Sequence, residues 1–141
     1  MILPDVNVLI YAFRPDAEHH GRCRDWLRCV VESDARFGIS PLVLSAVVRI
    51  VTSGRIYAQP SSLDETLAYC DDLLSQDHCE VVQPGRTHWS IFADLCRRTG
   101  TVGPKVTDAW FAALAIEWGC EWVTFDRDFA RFPGLRWTVP R

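Results

Sequence analysis

The sequence lacks any apolar run long enough to cross a bilayer, because its longest runs, "VNVLIYAF" and "AWFAALAI", fall well short of about 18 residues. We therefore expect no membrane span. It also lacks a basic start followed by a long apolar core and a small-residue cleavage site, so a cytoplasmic location is expected. No repeat or biased segment divides the chain, and residues 1–141 fit a single domain.

Two further absences narrow the chemistry. The six cysteines form no C-x-x-C pair and no zinc-finger pattern with histidine, so buried reduced thiols are expected rather than a metal or disulfide framework. The net charge of -3 shows no basic excess, which argues against binding of nucleic acid through bulk electrostatics. If the substrate is a nucleic acid, a local feature must offset the acidity.

What is present is an alternation of short strands and amphipathic helices. Strands are predicted at residues 1–3 and at "EVV", "EWVTF" and "LRWTV", and "RFGIS" suits a short strand or a loop. Helices are predicted from Ala17 to about Val31 and from Pro41, Ser62, Trp89 and Thr107, while the run "VLIYAF" suits a helix or a strand equally. This alternation predicts a three-layer α/β/α domain with a central parallel sheet.

Carboxylates stand at the positions where such a fold binds ligands. Asp5 directly follows the first predicted strand, and Asp126 directly follows "WVTF". Asp108 lies in the first turn of a helix that would pack on the same sheet, and Asp128 lies two residues beyond Asp126. Because parallel sheets bind ligands at the carboxyl ends of their strands, these side chains are predicted to share one site.

Each acid also has a purely structural explanation. Asp108 could complement a helix dipole, and Asp126 could form a turn. Asp5 stands among apolar neighbours, where a carboxylate is costly unless something pairs with it, although nearby backbone amides could do so. The placement of all three at equivalent ends of the fold favours the shared site.

A shared carboxylate site calls for a cation. Neighbouring carboxylates repel one another and raise their own pKa values unless a positive charge intervenes. Ligand sets made only of oxygen favour hard ions, so Mg²⁺ or Mn²⁺ is expected. Such an ion would also bind a substrate phosphate, and Asn7 could orient a ligand carboxylate or the attacking water.

Several segments resemble those of a known family. "ILPDVNVLIYAF", "SPLVLSAVVRIVT", "VTDAWFAALAIEWG" and "WVTFDRDFARFPGLRW" are similar, in this order, to the corresponding segments of PIN domains. More narrowly, they resemble the VapC toxins of bacterial toxin–antitoxin pairs. The resemblance implies a metal-dependent endoribonuclease of the prokaryotic cytoplasm that cleaves cellular RNA. It also implies a homodimer that a VapB-like antitoxin neutralises.

The family's site residues can be carried over one by one. The resemblance implies that Asp5, Asp108 and Asp126 are the catalytic residues and hold the Mg²⁺ or Mn²⁺. Asn7 falls on the polar residue after the first acid, and Asp128 is a further acid in the last loop. Thr107 adjoins Asp108 and is expected to act as a helix N-cap with an auxiliary place beside the site.

One position departs from the family pattern, and it keeps other functions open. PIN domains commonly carry a glutamate where this chain has Ala46. A catalytically weakened module that binds RNA or an antitoxin without cutting is therefore an alternative. A phosphatase that uses Asp5 as a covalent nucleophile is a further one, but it would need an acid where Asn7 stands.

Other polar and aromatic residues are expected to have structural roles. Thr124 is expected to be a strand residue, and Lys105 a solvated surface charge that could also flank a phosphate path. Trp89, Trp110 and Trp118 lie on predicted helix stripes. Packing in the core or in a dimer is expected for them rather than base stacking.

Overall fold

The computed structural model describes residues 1–141, and a sheet of five short strands forms its centre. The strands are β1 (Ile2–Pro4), β2 (Phe37–Ile39), β3 (Cys79–Val81), β4 (Glu121–Val123) and β5 (Trp137–Thr138). They lie in the order β3-β2-β1-β4-β5, and every neighbouring pair is parallel. The predicted parallel sheet is confirmed.

Six helices connect and cover these strands. They are α1 (Val6–Phe13), α2 (His20–Glu32), α3 (Pro41–Val51), α4 (Leu63–Leu74), α5 (His88–Thr99) and α6 (Val106–Trp118). α1 packs against α2 and α3, and α3 packs against α4, whereas α5 packs against α6. The result is the predicted three-layer α/β/α arrangement. None of the helices is both long and apolar enough to pass through a bilayer.

The core lies between the sheet and the helices. The strand residues Leu3, Phe37, Ile39 and Trp122 are fully or almost fully buried, as expected for parallel strands covered on both faces. α6 is apolar on nearly every side and buries Ala109, Phe111, Ala112, Ala113, Leu114 and Ala115. The first turn of α6, which carries Asp108, is therefore held by a deeply embedded helix.

The strand order brings two chain segments together at the middle of the sheet. From β1 the chain runs outward through β2 to β3, and it then crosses over to β4 and β5 on the other side of β1. The carboxyl ends of β1 and β4 are therefore neighbours at the point where the direction of winding reverses. Open α/β sheets bind their ligands at such a point.

Local signals at the helix ends show which predictions hold. The residues of "VLIYAF" are helical, and α1 begins directly after its N-cap, Asp5. Ser62 caps α4 as predicted, because its Oγ accepts a hydrogen bond from the Glu65 amide at 3.1 Å. Thr107 is not an N-cap: a 3-10 turn at Gly103–Lys105 leads directly into α6, and Thr107 lies exposed within its first turn.

The predicted positions of the tryptophans are only partly correct. Trp110 is half-buried against the core, but Trp89 is 72% exposed and Trp118 is 40% exposed. A core position is therefore wrong for Trp89 and Trp118, and packing in a dimer stays a prediction for them. Their periodic spacing reflects the helix repeat, and the side of each helix on which they lie faces solvent.

Candidate active site

Asp5 is the most deeply placed of the candidate acids. It is 7% exposed, and its backbone amide donates to the Val123 carbonyl at 2.9 Å, which ties the end of β1 to β4. As the N-cap of α1 its Oδ1 accepts from the Val6 amide at 2.6 Å. Burial raises the pKa of the Asp5 carboxyl to about 6, and the negative charges of Asp108 and Asp126 add to the effect. Its hydrogen bonds act in the opposite direction.

Thr124 connects the residues at this edge of the sheet. Its hydroxyl donates to Asp5 Oδ2 at 2.7 Å and accepts from the Asp126 amide at 3.0 Å. Asn7 Nδ2 lies 3.1 Å from the same hydroxyl and 3.2 Å from Asp5 Oδ2, and Asn7 Oδ1 accepts from the Phe125 amide at 3.3 Å. The network fixes the orientation of the Asp5 carboxylate. Sequence reasoning missed this role of Thr124.

Asp108 and Asp126 approach the same edge from two other elements. Asp126 caps the 3-10 turn at Arg127–Arg131, and its Oδ1 accepts from the Asp128 amide at 2.9 Å. Asp108 projects from the first turn of α6 and is half-buried. Burial raises the pKa of the Asp108 carboxyl, and the charge of Asp126 adds to this. The charge of Asp126 therefore acts on Asp108.

Lys105 supplies a positive charge at the rim. Its Nζ lies 2.9 Å from Asp128 Oδ2 and 3.7 Å from Asp108 Oδ2. The hydrogen bond to Asp128 raises the pKa of Lys105, and Lys105 in turn holds the pKa of the exposed Asp128 carboxyl below its ordinary value. Asp128 thus pairs with a lysine at the surface, and Lys105 is more than an isolated surface charge.

The acids share an edge without forming a tight cluster. No three acidic, histidine or cysteine side chains lie close enough together to hold one metal ion. The close packing of carboxylates expected from the sequence is therefore not observed. Like charges repel one another, and Lys105 attracts Asp108 and Asp128 toward the rim, so an open arrangement is the physical expectation.

Two other positions bear on the chemistry of the site. Ala46 is half-buried on α3 and contributes no oxygen where the family commonly has a glutamate. The side-chain amide of Asn7 is engaged with Asp5 and Thr124, and it has no acidic proton to donate. A phosphatase mechanism with Asp5 as nucleophile would therefore lack its general acid.

The burial of Asp5 predicts an unusual dependence of stability on pH. The folded chain binds the Asp5 proton more tightly than the unfolded chain does, because the pKa is raised from 3.8 to about 6. Below both pKa values, the ionisation of Asp5 therefore has no effect on the free energy of unfolding. As the pH rises from the lower pKa to the higher one, it lowers that free energy progressively. Above about pH 6 the cost is about 3 kcal/mol.

Urea unfolding of the wild type and of Asp5→Asn, measured in EDTA across this pH range, checks that expectation. As the pH rises, the free energy of unfolding of the wild type should fall relative to that of Asp5→Asn. Asp34→Asn, at an exposed loop position, should keep the wild-type profile. Parallel profiles for the wild type and Asp5→Asn would show that Asp5 ionises in the folded chain without cost.

Comparison with known proteins assigns the chain to a family. The PIN domain family model matches residues 2–135. Ribonuclease VapC43 of Mycobacterium tuberculosis is 36% identical over 140 residues, covering 99% of this chain and 95% of that protein.

Solved structures show the same fold at lower identity. VapBC2 from Rickettsia felis, bound to a DNA fragment from its promoter, superposes with a TM-score of 0.72 at 20% identity over 99% of this chain and 98% of that one. Mycobacterium tuberculosis VapC20, described as a sarcin–ricin loop cleaving toxin, gives a TM-score of 0.63 at 18% identity over 96% and 99%. From its sequence match and its fold, the chain belongs to the PIN-domain family and, within it, to the VapC group.

Proposed function

We propose that this chain is a metal-dependent endoribonuclease, the toxin of a type II toxin–antitoxin pair. It cleaves phosphodiester bonds in cellular RNA, and a VapB-like antitoxin neutralises it. Residues 1–141 act as a single PIN-like domain. Asp5, Asp108 and Asp126 are its catalytic residues, and Asn7 and Asp128 are auxiliary.

One observation carries this proposal. Asp5 and Asp126 follow the neighbouring strands β1 and β4, and Asp108 acts on Asp5 electrostatically from the first turn of α6, in a chain that is 36% identical over nearly its full length to a protein named as a ribonuclease. A shared fold alone would not indicate an activity, because one fold supports many functions. The combination of the acids, their placement and the full-length match supports the nuclease.

The donor atoms are of the kind that suits a divalent cation, although the three carboxylates would have to move closer together to hold one ion. Asp5, Asp108 and Asp126 offer carboxylate oxygens, the ligands that Mg²⁺ and Mn²⁺ prefer. Asp5 accepts one hydrogen bond at Oδ1 and two at Oδ2, so one of its roughly four lone-pair sites remains free at Oδ1. When bound, such an ion stabilises charge on a phosphate and lowers the pKa of a bound water.

The remaining residues of the site position and balance the acids. Thr124 and Asn7 hold Asp5 in one orientation, and the hydrogen bond from Thr124 favours its ionised form, the form that binds a cation. Lys105 places a positive charge beside Asp108 and Asp128 at the rim. This charge reduces the local negative charge that a phosphate would meet in a protein whose net charge is -3. Thr107, exposed beside Asp108, is available to touch the substrate.

The proposed partners follow from family membership. The Rickettsia felis protein that shares this fold is part of a VapBC complex, and this supports a VapB-like antitoxin for the present chain. A homodimer and a cytoplasmic location in a prokaryote are part of the same proposal. The alternative of a weakened binding module depends on Ala46 alone, and the match to a named ribonuclease does not favour it.

Cleavage of total cellular RNA by purified, antitoxin-free protein tests the proposal. Discrete fragments are expected with Mg²⁺ or Mn²⁺ and none with EDTA, because the carboxylates need a cation to act on a phosphodiester. Mapping the fragment ends would identify the target. RNA binding without cleavage under either metal would contradict the nuclease and support the binding module, and Ala46→Glu would then be tested for restored cutting.

A further inference from the structure

Three aromatic side chains form a cluster beside the acids. The rings of His19 and Phe125 are stacked, with centroids 4.6 Å apart and planes 4° apart. Tyr11 packs against both, at 5.9 Å from His19 and 5.6 Å from Phe125. We call Tyr11, His19 and Phe125 the aromatic platform. All three residues are partly exposed, so the platform is part of the surface.

The platform is joined directly to the candidate active site. Phe125 lies between Thr124, which bonds to Asp5, and Asp126. Its backbone amide donates to Asn7 Oδ1 at 3.3 Å, so the network that orients Asp5 also fixes the segment carrying this ring. A group resting on the platform would therefore lie next to the carboxylates.

A positive charge flanks the same rings. The guanidinium carbon of Arg22 lies 5.4 Å from the centroid of the Phe125 ring, within the range of a cation–π contact. Arg22 Nε also donates to the Pro140 carbonyl at 2.6 Å, which holds the side chain in place. Exposed rings beside a fixed cation favour a ligand that is both aromatic and anionic.

Other aromatic residues lack this combination. Trp122, Phe129 and Phe132 form a series of tilted ring contacts inside the core, where no ligand can reach them. Trp89 is highly exposed but lies on α5, and its aromatic neighbour is Phe92 rather than a residue of the acidic edge. Exposure, contact with the acidic edge and a flanking arginine coincide at the platform.

We propose that the aromatic platform stacks an unpaired nucleobase of the RNA substrate next to the scissile phosphodiester. This inference rests on the proposed function and adds a binding subsite to it. Proteins that read single-stranded RNA stack splayed bases on aromatic rings and on arginine planes. The rings would bind one base, and Arg22 would attract the adjoining phosphate.

Binding of two RNA probes to variants that cannot cut provides the test. The parent is Asp108→Asn with Mg²⁺, and the probes are a labelled single-stranded oligoadenylate and a ribose-phosphate oligomer of the same length without bases. Dissociation constants are measured by fluorescence anisotropy. Phe125→Leu keeps apolar bulk and removes the ring, Phe125→Tyr keeps the ring, and Trp89→Leu removes a more exposed ring elsewhere.

Phe125→Leu is expected to weaken oligoadenylate binding by about fivefold to a hundredfold, the range for stacking one base on an aromatic ring. Phe125→Tyr and Trp89→Leu should bind as the parent does, and the probe without bases should bind all variants equally. Thermal unfolding of each variant checks that the fold is retained.

Several outcomes would contradict base stacking on the aromatic platform. Unchanged oligoadenylate binding by Phe125→Leu would do so, and the surface would then be a candidate for the protein partner instead. If Phe125→Leu weakened the binding of both probes equally, or if Phe125→Tyr weakened binding as much as Phe125→Leu, Phe125 would act through packing and not through base stacking. A parent that binds no oligoadenylate, or that binds both probes equally, would also contradict base stacking on the platform. The nuclease activity itself is tested separately, by RNA cleavage with the wild type.

Discussion

Replacing Asp108 with asparagine is expected to lower RNA cleavage by about a hundredfold or more, because the site loses one of its three proposed cation ligands. The fold should remain intact. Burial already raises the pKa of the Asp108 carboxyl, so its ionised form is not a source of stability. Lys105 keeps its closer partner, Asp128, at 2.9 Å. Initial cleavage rates with Mn²⁺, together with thermal unfolding with and without the metal, measure both effects.

Two exposed acids serve as controls for Asp108→Asn. The side chains of Asp94 and Asp128 are 59% and 60% exposed, and each is paired with a basic residue. Asp94→Asn, on α5, should cleave RNA at the wild-type rate and keep the stabilisation by metal. Asp128→Asn should lose less activity than Asp108→Asn. Wild-type cleavage by Asp108→Asn would remove Asp108 from the catalytic set, and an equal loss in Asp128→Asn would add Asp128 to it.

The elements that sequence reasoning predicted well are those with local signals. Gly100 and Gly119 end their helices in the left-handed region, at φ of 63° and 65°, a conformation that glycine adopts easily. The segment after Asp5 had no such signal in its periodicity. α1 buries three consecutive residues, Val8, Leu9 and Ile10, and a run buried on successive positions suits a helix or a strand.

The acids of the candidate site could be predicted from the sequence, but the residues that hold them in place could not. A carboxylate at the end of a strand can be recognised from the sequence, because the fold class places all strand ends together. The bond from Thr124 to Asp5 joins residues 119 positions apart, and Thr124 alone resembles any strand threonine. The platform likewise joins Tyr11 and His19 to Phe125 across nearly the whole chain. Such contacts depend on tertiary packing.

Thr124→Val is the substitution that would separate the role of Thr124 from that of the acids it contacts. It removes the hydroxyl that donates to Asp5 and accepts from the Asp126 amide and from Asn7. Leaving those groups without a partner should lower the free energy of unfolding by about 1–3 kcal/mol. Cleavage should fall by about tenfold to a hundredfold, as for residues that orient metal ligands.

The pH profile of Thr124→Val distinguishes positioning from simple loss of stability. The Thr124 hydrogen bond holds the pKa of the Asp5 carboxyl down, so its removal should raise that pKa further and shift the acid limb of cleavage to higher pH. Thr124→Ser should retain the wild-type profile. Thr66→Val matches the burial but removes a hydroxyl that bonds only the Ser62 carbonyl within α4, so it should lower stability without the shift. The same acid limb in the wild type and in Thr124→Val would mean that Asp5 is oriented by its backbone cap and Asn7 alone.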